Sequence, residues 1–244
     1  MDVDEVVVVT GSSSGIGQAT AATYLGRGAR VYGLDVDTSQ GEPRNDPGNA
    51  GKWTALSVDV TDQAAVLATF ARIVDETGHI DVLVASAAVG YPEPFLDITE
   101  ESWDRVIGVN VTGAMLCIKA ALPFMKERRS GSIVVISSIA GRTKSVANGA
   151  HYTVSKYGLI GLVRHLAAEL AGTGIRINCV APGPTNSAIL TAHSTQEERD
   201  AIAAGTPLRR IAEPADVASV IEFVASDHAK HVHGAVFDVN GGLY

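Results

Sequence analysis

Thr10-Gly11-Ser12-Ser13-Ser14-Gly15-Ile16-Gly17 is a turn rich in glycine and serine between the apolar run 5–10 and the helical pattern of residues 18–26. Glycines at such a junction of strand and helix let the backbone turn tightly and pass close to a pyrophosphate. The N-terminus of the helix offers unpaired N–H groups and a positive dipole end to the same anion. The stretch therefore predicts a βα unit that binds a dinucleotide, although turns also collect glycine and serine for conformational reasons alone.

Short apolar or β-branched runs alternate with helical stretches along the whole chain. They occupy residues 5–10, 30–35, 53–59, 81–85, 132–138, 175–181 and 236–240. Continuous apolar strands are typical of a parallel sheet that helices cover on both faces, joined by right-handed crossovers. The sequence therefore predicts an α/β fold, a doubly wound, Rossmann-like three-layer sandwich with a parallel sheet of about seven strands. Ligands of such sheets bind outside the carboxyl ends of the strands.

We expect a single dinucleotide-binding and catalytic domain over residues 1–244, because no linker, internal repeat or low-complexity tract divides the chain. Glycines and prolines predict a loop at 40–51. Residues 186–210 form the other long interruption between strands, with a short helix expected around 196–203. This interruption is a candidate substrate lid.

Helix starts carry chemical signals. Thr61 and Thr99 are expected to be N-caps, and Pro214 suits the first turn of the helix that follows it. Longer helices are expected over 102–128 and 152–171. The second of these has an apolar stripe wide enough to contact both the sheet and a second subunit.

The composition is that of a compact globular enzyme, with 46% apolar and 19% charged residues. A net charge of −8 with scattered basic residues argues against nucleic acid as a partner. No positive region precedes the first apolar run, and no uninterrupted apolar run approaches the roughly twenty residues that cross a bilayer. We therefore expect a cytoplasmic protein that does not bind membranes.

Cysteines and histidines give little support to a metal site. Cys117 and Cys179 lie in separate apolar segments and are expected to be small core residues. His228, His231 and His233 cluster near the C-terminus, but no nearby carboxylate or cysteine completes a ligand set. We expect these histidines to be surface loop residues, and we predict no metal.

Tyr152 and Lys156 lie four residues apart in a predicted helix, so they share one face. A phenol titrates at about 10, and a nearby ammonium group favours the phenolate, which suits Tyr152 to acid and base chemistry at neutral pH. The alternative is a pair of exposed amphipathic side chains.

Asp35 ends the second predicted strand, eighteen residues after Gly17. A carboxylate there can accept hydrogen bonds from the adenosine ribose and would repel a 2′-phosphate, which favours NAD(H) over NADP(H). Alternatively, Asp35 caps a turn with Asp37. Asp59, at the end of the third predicted strand, is a candidate for contact with the adenine amino group or for the helix cap at Thr61.

The chain resembles the compact short-chain dehydrogenases and reductases of about 250 residues, and the resemblance spans nearly its whole length. The glycine turn matches that family's pattern of Thr-Gly, three residues, then Gly-Ile-Gly. The other motifs that match, in order, are Asn110-Val111-Thr112-Gly113, Ser137-Ser138-Ile139-Ala140-Gly141, Tyr152 with Lys156, and Pro182-Gly183. Two departures are Ala85-Ser86-Ala87-Ala88, where the family commonly has Asn-Asn-Ala-Gly, and one extra residue between Ser138 and Tyr152.

The resemblance implies roles for individual residues. Ser138 would hydrogen-bond the substrate oxygen, Tyr152 would exchange a proton with it, and Lys156 would lower the tyrosine pKa and bind the nicotinamide ribose. Asn110 would hold a water that links Lys156 to solvent; alternatively, it only satisfies backbone groups in an interrupted helix. The implied NAD-binding residues are Gly11, Ser13, Ser14, Gly15, Ile16, Gly17, Asp35, Asp59, Val60, Ala87, Asn110, Tyr152, Lys156, Pro182, Gly183 and Thr185.

The expected function is that of an NAD(H)-dependent oxidoreductase interconverting a secondary alcohol and a ketone, a homotetramer by resemblance. Specificity is expected to reside in residues 90–96, 142–150 and 186–206, and Tyr91 and His151 are candidates to line the pocket. One alternative is a 3-oxoacyl carrier-protein reductase. Another is a module that senses NAD(H) without turnover.

Overall fold

The computed structural model describes residues 5–39, 51–145, 147–192 and 194–244. Strands of these residues form one parallel sheet of seven strands in the order β3-β2-β1-β4-β5-β6-β7. The strands are β1 Val6–Thr10, β2 Arg30–Asp35, β3 Lys52–Ser57, β4 Val82–Ala85, β5 Gly131–Ile136, β6 Ile175–Pro182 and β7 Val236–Val239. The predicted doubly wound architecture is confirmed, with most strand ends within two residues of the predicted ones.

Helices connect the strands and cover the sheet. They are α1 Gly15–Gly26, α2 Gln63–Thr77, α3 Glu100–Ile107, α4 Ala114–Arg128, α5 Ala150–Glu169, α6 Ala188–Ala192, α7 Gln196–Gly205 and α8 Pro214–Ala225. A π-helical turn, Gly108–Gly113, joins α3 to α4. The long helix expected over 102–128 is therefore interrupted, and the predicted short helix near 196–203 is confirmed as α7.

Two apolar layers flank the sheet. One contains buried residues of α2, α4 and α5, and the other contains buried residues of α1 and α8. The strand order reverses direction at β1, whose neighbours are β2 on one side and β4 on the other. A crevice forms at the carboxyl ends of the strands where the order reverses, and ligands of doubly wound sheets bind there.

The helical stretch Glu100–Arg128 is long and apolar enough to cross a membrane by length and composition alone. Its side chains Val106, Cys117 and Met125 are fully buried, and the last two belong to the core on one face of the sheet. This stretch of α3, the π-helical turn and α4 therefore belongs to the protein core.

The helix caps differ in part from expectation. The cap of α2 is Asp62, whose Oδ1 accepts two backbone N–H groups of the first turn at 2.9 and 3.1 Å. Thr61 is not the cap, because its N–H and hydroxyl both donate to Asp59. The caps predicted at Thr99 and the first-turn proline at Pro214 are confirmed.

His233 lies exposed in a loop, as predicted, and its ring also contacts the backbone of two elements. Its Nδ1 accepts a hydrogen bond from the backbone N–H of Ile177 at 3.2 Å, and its Nε2 lies 2.7 Å from the carbonyl of Ala167. The imidazole thus joins β6 to the C-terminal part of α5.

Within the described ranges no group of three or more His, Cys, Asp or Glu side chains could hold a metal ion. The predicted loop at 40–51 lies outside these ranges except for Gly51.

The indole of Trp53 in β3 packs over Gly33 in β2, which suggests a test of the sheet packing. A Cβ on Gly33 would lie 1.9 Å from Cη2 of Trp53 and 2.6 Å from Oγ of Ser12. We predict that Gly33→Ala lowers the free energy of unfolding by about 1–3 kcal/mol, as overpacked cores do. Urea denaturation at a fixed protomer concentration measures this change.

Gly205, the last residue of α7, provides the matched control, because a Cβ there meets no atom within 4 Å. Gly205→Ala should leave stability unchanged or raise it by at most about 1 kcal/mol. Equal stability of Gly33→Ala and Gly205→Ala would contradict the packing described here.

Candidate active site

A cavity of about 610 Å³ lies at the carboxyl ends of the central strands. Of the predicted site residues, those that line it are Gly11, Ser14, Gly15, Ile16, Gly17, Asp35, Asp59, Val60, Ala87, Ser138, Tyr152, Lys156, Pro182, Gly183 and Thr185. Ser13 and Asn110 are not among its lining residues. The fold thus brings motifs from distant parts of the chain to one site.

The glycine turn leaves room for an anion at the start of α1. Gly11 and Gly15 have φ angles of +67° and +52°, and a Cβ on Gly17 would lie 2.1 Å from the carbonyl oxygen of Gly11. Ser14 is the N-cap but makes no side-chain cap hydrogen bond, and the first turn has no acidic residue. These residues fit a dinucleotide pyrophosphate, because free N–H groups and the helix dipole attract a phosphate.

Ser13 and Asp35 join the glycine turn to the end of β2. The Ser13 N–H donates to Asp35 Oδ2 at 3.0 Å, and the Ser13 hydroxyl donates to the carbonyl of Asp37. Asp35 Oδ1 also accepts the N–H of Asp37 at 3.3 Å, so Asp35 has the turn contact considered from the sequence. Asp35 nevertheless lines the cavity, and its carboxylate oxygens have further lone pairs for a ribose.

Asp59 lies two residues beyond β3 and faces the same cavity. Its Oδ1 accepts the backbone N–H and the hydroxyl of Thr61 at 2.8 and 2.7 Å. These hydrogen bonds lower the pKa of Asp59, so the carboxylate stays charged at neutral pH.

Asn110 occupies the π-helical turn and is fully buried. Its carboxamide exchanges two hydrogen bonds with the backbone of Val89, at 2.8 and 2.9 Å, and its Nδ2 donates to Ser155 Oγ at 3.0 Å. Ser155 Oγ in turn donates to the carbonyl of Tyr152 at 2.7 Å. The side chain therefore connects the backbone at Val89 to α5, in keeping with the alternative that Asn110 satisfies backbone groups. Its role in a proton relay stays a prediction.

The two serines after β5 have different surroundings. Both line the cavity, but Ser137 is buried and its hydroxyl already donates to the carbonyl of Lys156 at 2.8 Å. Ser138 lines the cavity, forms a hydrogen bond with Tyr152 and caps a short 3-10 turn through the N–H of Ala140 at 3.1 Å. Ser138 rather than Ser137 is therefore placed to contact a substrate.

Tyr152 and Lys156 share one face of α5 at the base of the cavity. Nζ of Lys156 lies 5.4 Å from the ring centroid of Tyr152 and donates to the carbonyl of Ile136 at 3.0 Å. Burial lowers the pKa of Lys156 to about 8. Burial also raises the pKa of Tyr152, and the hydrogen bond with Ser138 opposes this only in part. The lowering of this pKa by Lys156 that the resemblance implied does not appear in this structure, where burial dominates, and the role of the lysine towards the tyrosine stays a prediction.

Thr10 supports the segment after β4, where this chain lacks the asparagines of the family pattern. Its Oγ1 accepts the N–H groups of Ser86 and Ala87, both at 3.1 Å. A Cβ on Gly11 would lie 2.8 Å from Cα of Ala87, so the glycine turn and this segment are in close contact. The ends of β1 and β4 therefore stay in contact although Ala85-Ser86-Ala87-Ala88 departs from the family pattern.

Tyr91 and His151 are not among the cavity-lining residues, contrary to expectation. His151 is fully buried, accepts the N–H of Tyr152 at 2.9 Å, and has its Nε2 3.3 Å from a carboxylate oxygen of Glu93. The Tyr91 hydroxyl accepts a hydrogen bond from Nε of Arg105 at 2.9 Å. Both rings therefore lie outside the cavity lining and form hydrogen bonds with residues next to it.

Sequence motifs missed several polar residues of the lining, among them Asp104, Arg105 and Asn148. The first two come from α3, whose acidic and basic residues give the pattern of an ordinary solvated helix. Asn148 lies in the segment 142–150 that was expected to set specificity, but no motif distinguishes it from its neighbours.

Known proteins with similar sequences and structures agree with this geometry. A family model described as enoyl-(acyl carrier protein) reductase matches residues 11–244. The chain is 40% identical to cis-4-hydroxycyclohexanecarboxylate dehydrogenase of Sinomonas cyclohexanicum, covering 98% of this chain and 96% of the relative. It is 35% identical to 3-oxoacyl-(acyl-carrier-protein) reductase FabG of Thermotoga maritima, covering 98% and 97%. The crystal structure of levodione reductase matches with a TM-score of 0.89 and 28% identity, covering 98% and 97%.

Fold, site and matches together define an oxidoreductase that uses a nicotinamide dinucleotide, NAD or NADP. The chain belongs to the short-chain dehydrogenase/reductase family.

The buried Lys156 should make stability depend on pH. Its side chain is 3% exposed, and its pKa falls from 10.5 in the unfolded chain to about 8 in the fold. Below pH 8 both states carry the proton, so the cost of burying the charge is fully present. Between pH 8 and 10.5 only the unfolded chain keeps the proton, so the folded state gains stability as the pH rises through this interval.

We predict that Lys156→Met raises the free energy of unfolding at pH 7 by about 2 kcal/mol. About 3 kcal/mol of desolvation is removed, and about 1 kcal/mol is lost with the hydrogen bond to Ile136. The difference from the parent should shrink as the pH approaches 10.5. Denaturant titrations of both proteins at several pH values measure it, and a difference independent of pH would contradict this account.

Proposed function

We propose that this protein is an NAD(H)-dependent oxidoreductase that interconverts a secondary alcohol and a ketone. The observation that carries the proposal is the hydrogen-bonded pair of Ser138 and Tyr152 at the cavity that the glycine turn opens, with Lys156 buried behind the ring. This arrangement gives a substrate oxygen two hydroxyl contacts and a proton.

The nicotinamide, when bound, accepts or donates the hydride. Ser138 and Tyr152 bind the substrate oxygen between them, and in reduction Tyr152 Oη transfers its proton to that oxygen. In oxidation the direction reverses: Tyr152 first releases its own proton to solvent, and its Oη then takes the proton of the alcohol. Lys156 holds a positive charge beside the ring and would bind the ribose of the nicotinamide. Its lowered pKa lets it exchange a proton near neutral pH.

Asp35 supports NAD(H) over NADP(H). Its carboxylate lines the cavity, and the next residue, Val36, is 67% exposed and carries no charge. A ribose 2′-hydroxyl can donate to the carboxylate, whereas a 2′-phosphate would be repelled. Arg105, a cation of the lining, lies close enough to Asp59 to lower that carboxyl's pKa.

Two basic residues that an acidic carrier protein could contact are already paired with carboxylates. Arg128 pairs with Asp81, directly before β4, at 3.2 Å, so it is at the amino edge of the sheet, opposite the cavity. Arg142 is paired with Asp238 through two hydrogen bonds. These contacts favour a free small molecule over an acyl chain on an acidic carrier.

Assembly and location complete the proposal. Val154 and Tyr157 of α5 are 47% and 46% exposed, and Met115 of α4 is exposed as well. Apolar side chains on adjacent helices suit an interface between copies, and we propose a homotetramer in the cytoplasm. Leu190 of α6 and Ile202 of α7 line the cavity, which supports the segment 186–210 as a lid.

Exchange of Asp35 tests the cofactor preference. We predict that Asp35→Asn, which removes the charge and keeps an oxygen acceptor for the Ser13 N–H, lowers the ratio of kcat/KM for NAD⁺ over NADP⁺ at least about tenfold, equivalent to about 1.4 kcal/mol. Asp35→Ala should lower the ratio too. An unchanged ratio in both variants would refute the role of the carboxylate.

Removal of the phenol tests the reaction. Tyr152→Phe should lower kcat at least about a hundredfold, the contribution of general acid and base catalysis, with little change in the Kd for NADH. Absorbance of the reduced cofactor during incubation with NAD⁺ and a panel of secondary alcohols measures turnover. If the parent binds NADH tightly and turns over no alcohol or ketone, the sensing module becomes the better hypothesis.

A further inference from the structure

Asn148 carries an unsatisfied hydrogen-bond acceptor in the cavity. Its Oδ1 is fully buried and has no hydrogen-bond partner, and the residue lines the cavity. A buried carboxamide oxygen without a partner is unfavourable, because it has lost its water and gained nothing in return. Such a group at a ligand site is expected to receive its hydrogen bond from the ligand.

The backbone that carries the carboxamide is held by its own loop. The N–H of Asn148 donates to Ser145 Oγ at 2.8 Å, and the N–H of Ser145 donates to Thr153 Oγ1 of α5 at 3.1 Å. The next residue, Gly149, donates its N–H to the carbonyl of Tyr91 at 2.8 Å. The loop is thus tied to α5 on one side and to the 91 segment on the other, which fixes the backbone position of Asn148.

Gly90 places this acceptor beside the reacting group. A Cβ on Gly90 would lie 2.8 Å from Oδ1 of Asn148 and 2.9 Å from Cδ2 of Tyr152. The carboxamide and the phenol ring therefore flank the same glycine. A substrate whose reacting oxygen contacts Tyr152 Oη reaches Asn148 with a group only a few carbon atoms away.

The surroundings decide what that group is. Besides the neutral Val89, Ser145 and Ala147, the lining includes the charged Asp104 and Arg105 of α3. Both cations of the lining already have an acceptor, because Lys156 donates to the carbonyl of Ile136 and Arg105 donates to the hydroxyl of Tyr91. Oδ1 itself accepts from a hydrogen-bond donor and cannot form a hydrogen bond with a carboxylate, which only accepts.

We propose that Asn148 selects substrates with a second hydroxyl group, which donates to Oδ1 while the first is oxidised at Tyr152. This inference rests on the proposed function. The substrate class is a small diol, or the hydroxyketone formed from it. In a hydroxy acid such as the one named for the Sinomonas relative, the carboxylate would face Oδ1 of Asn148, and two acceptors cannot form a hydrogen bond.

Competing alcohols test the proposal in the full-length protein. Cyclohexanol, the 1,2-, 1,3- and 1,4-cyclohexanediols and 4-hydroxycyclohexanecarboxylate are compared as substrates with NAD⁺. The best diol should exceed cyclohexanol in kcat/KM at least about tenfold, as one hydrogen bond of about 1.4 kcal/mol gives. The carboxylate should be the poorest of the set.

Two variants isolate the carboxamide. Asn148→Leu replaces it by an apolar side chain, and Asn148→Ala keeps room in case leucine is too large. Each should lose at least about ten times more kcat/KM on the best diol than on cyclohexanol. Asn148→Ala or Asn148→Leu retaining the diol preference of the parent would overturn the inference, as would a parent that prefers cyclohexanol or the carboxylate.

Binding separates this inference from the reaction itself. Isothermal titration of the diols into the protein with NADH does not require turnover. If the parent binds a diol and both variants do not, the role of Asn148 is supported. This holds even if no alcohol is oxidised, and in that case only the proposed reaction is refuted. Absence of diol binding, or equal binding by the variants, overturns the inference while the cofactor assignment stands.

Discussion

The close contact between the two ends of the glycine turn determines where the site can form. Gly17 has no room for a Cβ because the carbonyl of Gly11 lies against it, and Gly11 in turn lies against Ala87 after β4. This contact brings the start of α1 to the carboxyl ends of β1 and β4 and leaves its N–H groups uncapped. The phosphate region exists because three backbone segments approach each other without side chains between them.

Desolvation dominates the electrostatics of the catalytic pair. Lys156 has its pKa lowered and Tyr152 has its pKa raised, both by burial, so each is moved towards its neutral form. At neutral pH the phenol of Tyr152 therefore keeps its proton, while Lys156, with a pKa of about 8, still carries its positive charge. Negative charge that develops on a bound substrate oxygen would meet the hydroxyl groups of Ser138 and Tyr152 with this cation behind the ring, which favours its stabilisation.

The sequence predicted what depends on local pattern and missed what depends on side-chain direction. Alternating apolar runs and the glycine turn predicted the sheet, its crossovers and the strand ends that carry Asp35 and Ser138, because burial and backbone geometry leave a local trace. His151 was wrongly expected to line the cavity, since nothing in the neighbouring residues says which way an imidazole points. The rise in the pKa of Tyr152 was missed for a related reason, because desolvation is a property of the assembled site. Asn148 belongs to no motif and becomes distinctive only once its missing partner is seen.

The layer that covers β1 joins the two ends of the chain. Tyr24 and Leu25 of α1 pack in one apolar cluster with Val217 and Ile221 of α8, and Arg27 is paired with Glu222. A nascent chain therefore leaves α1 half covered until α8 has been made. The first helix of the fold is among the last to be completed, so the phosphate turn acquires its support only after α8 has been synthesised.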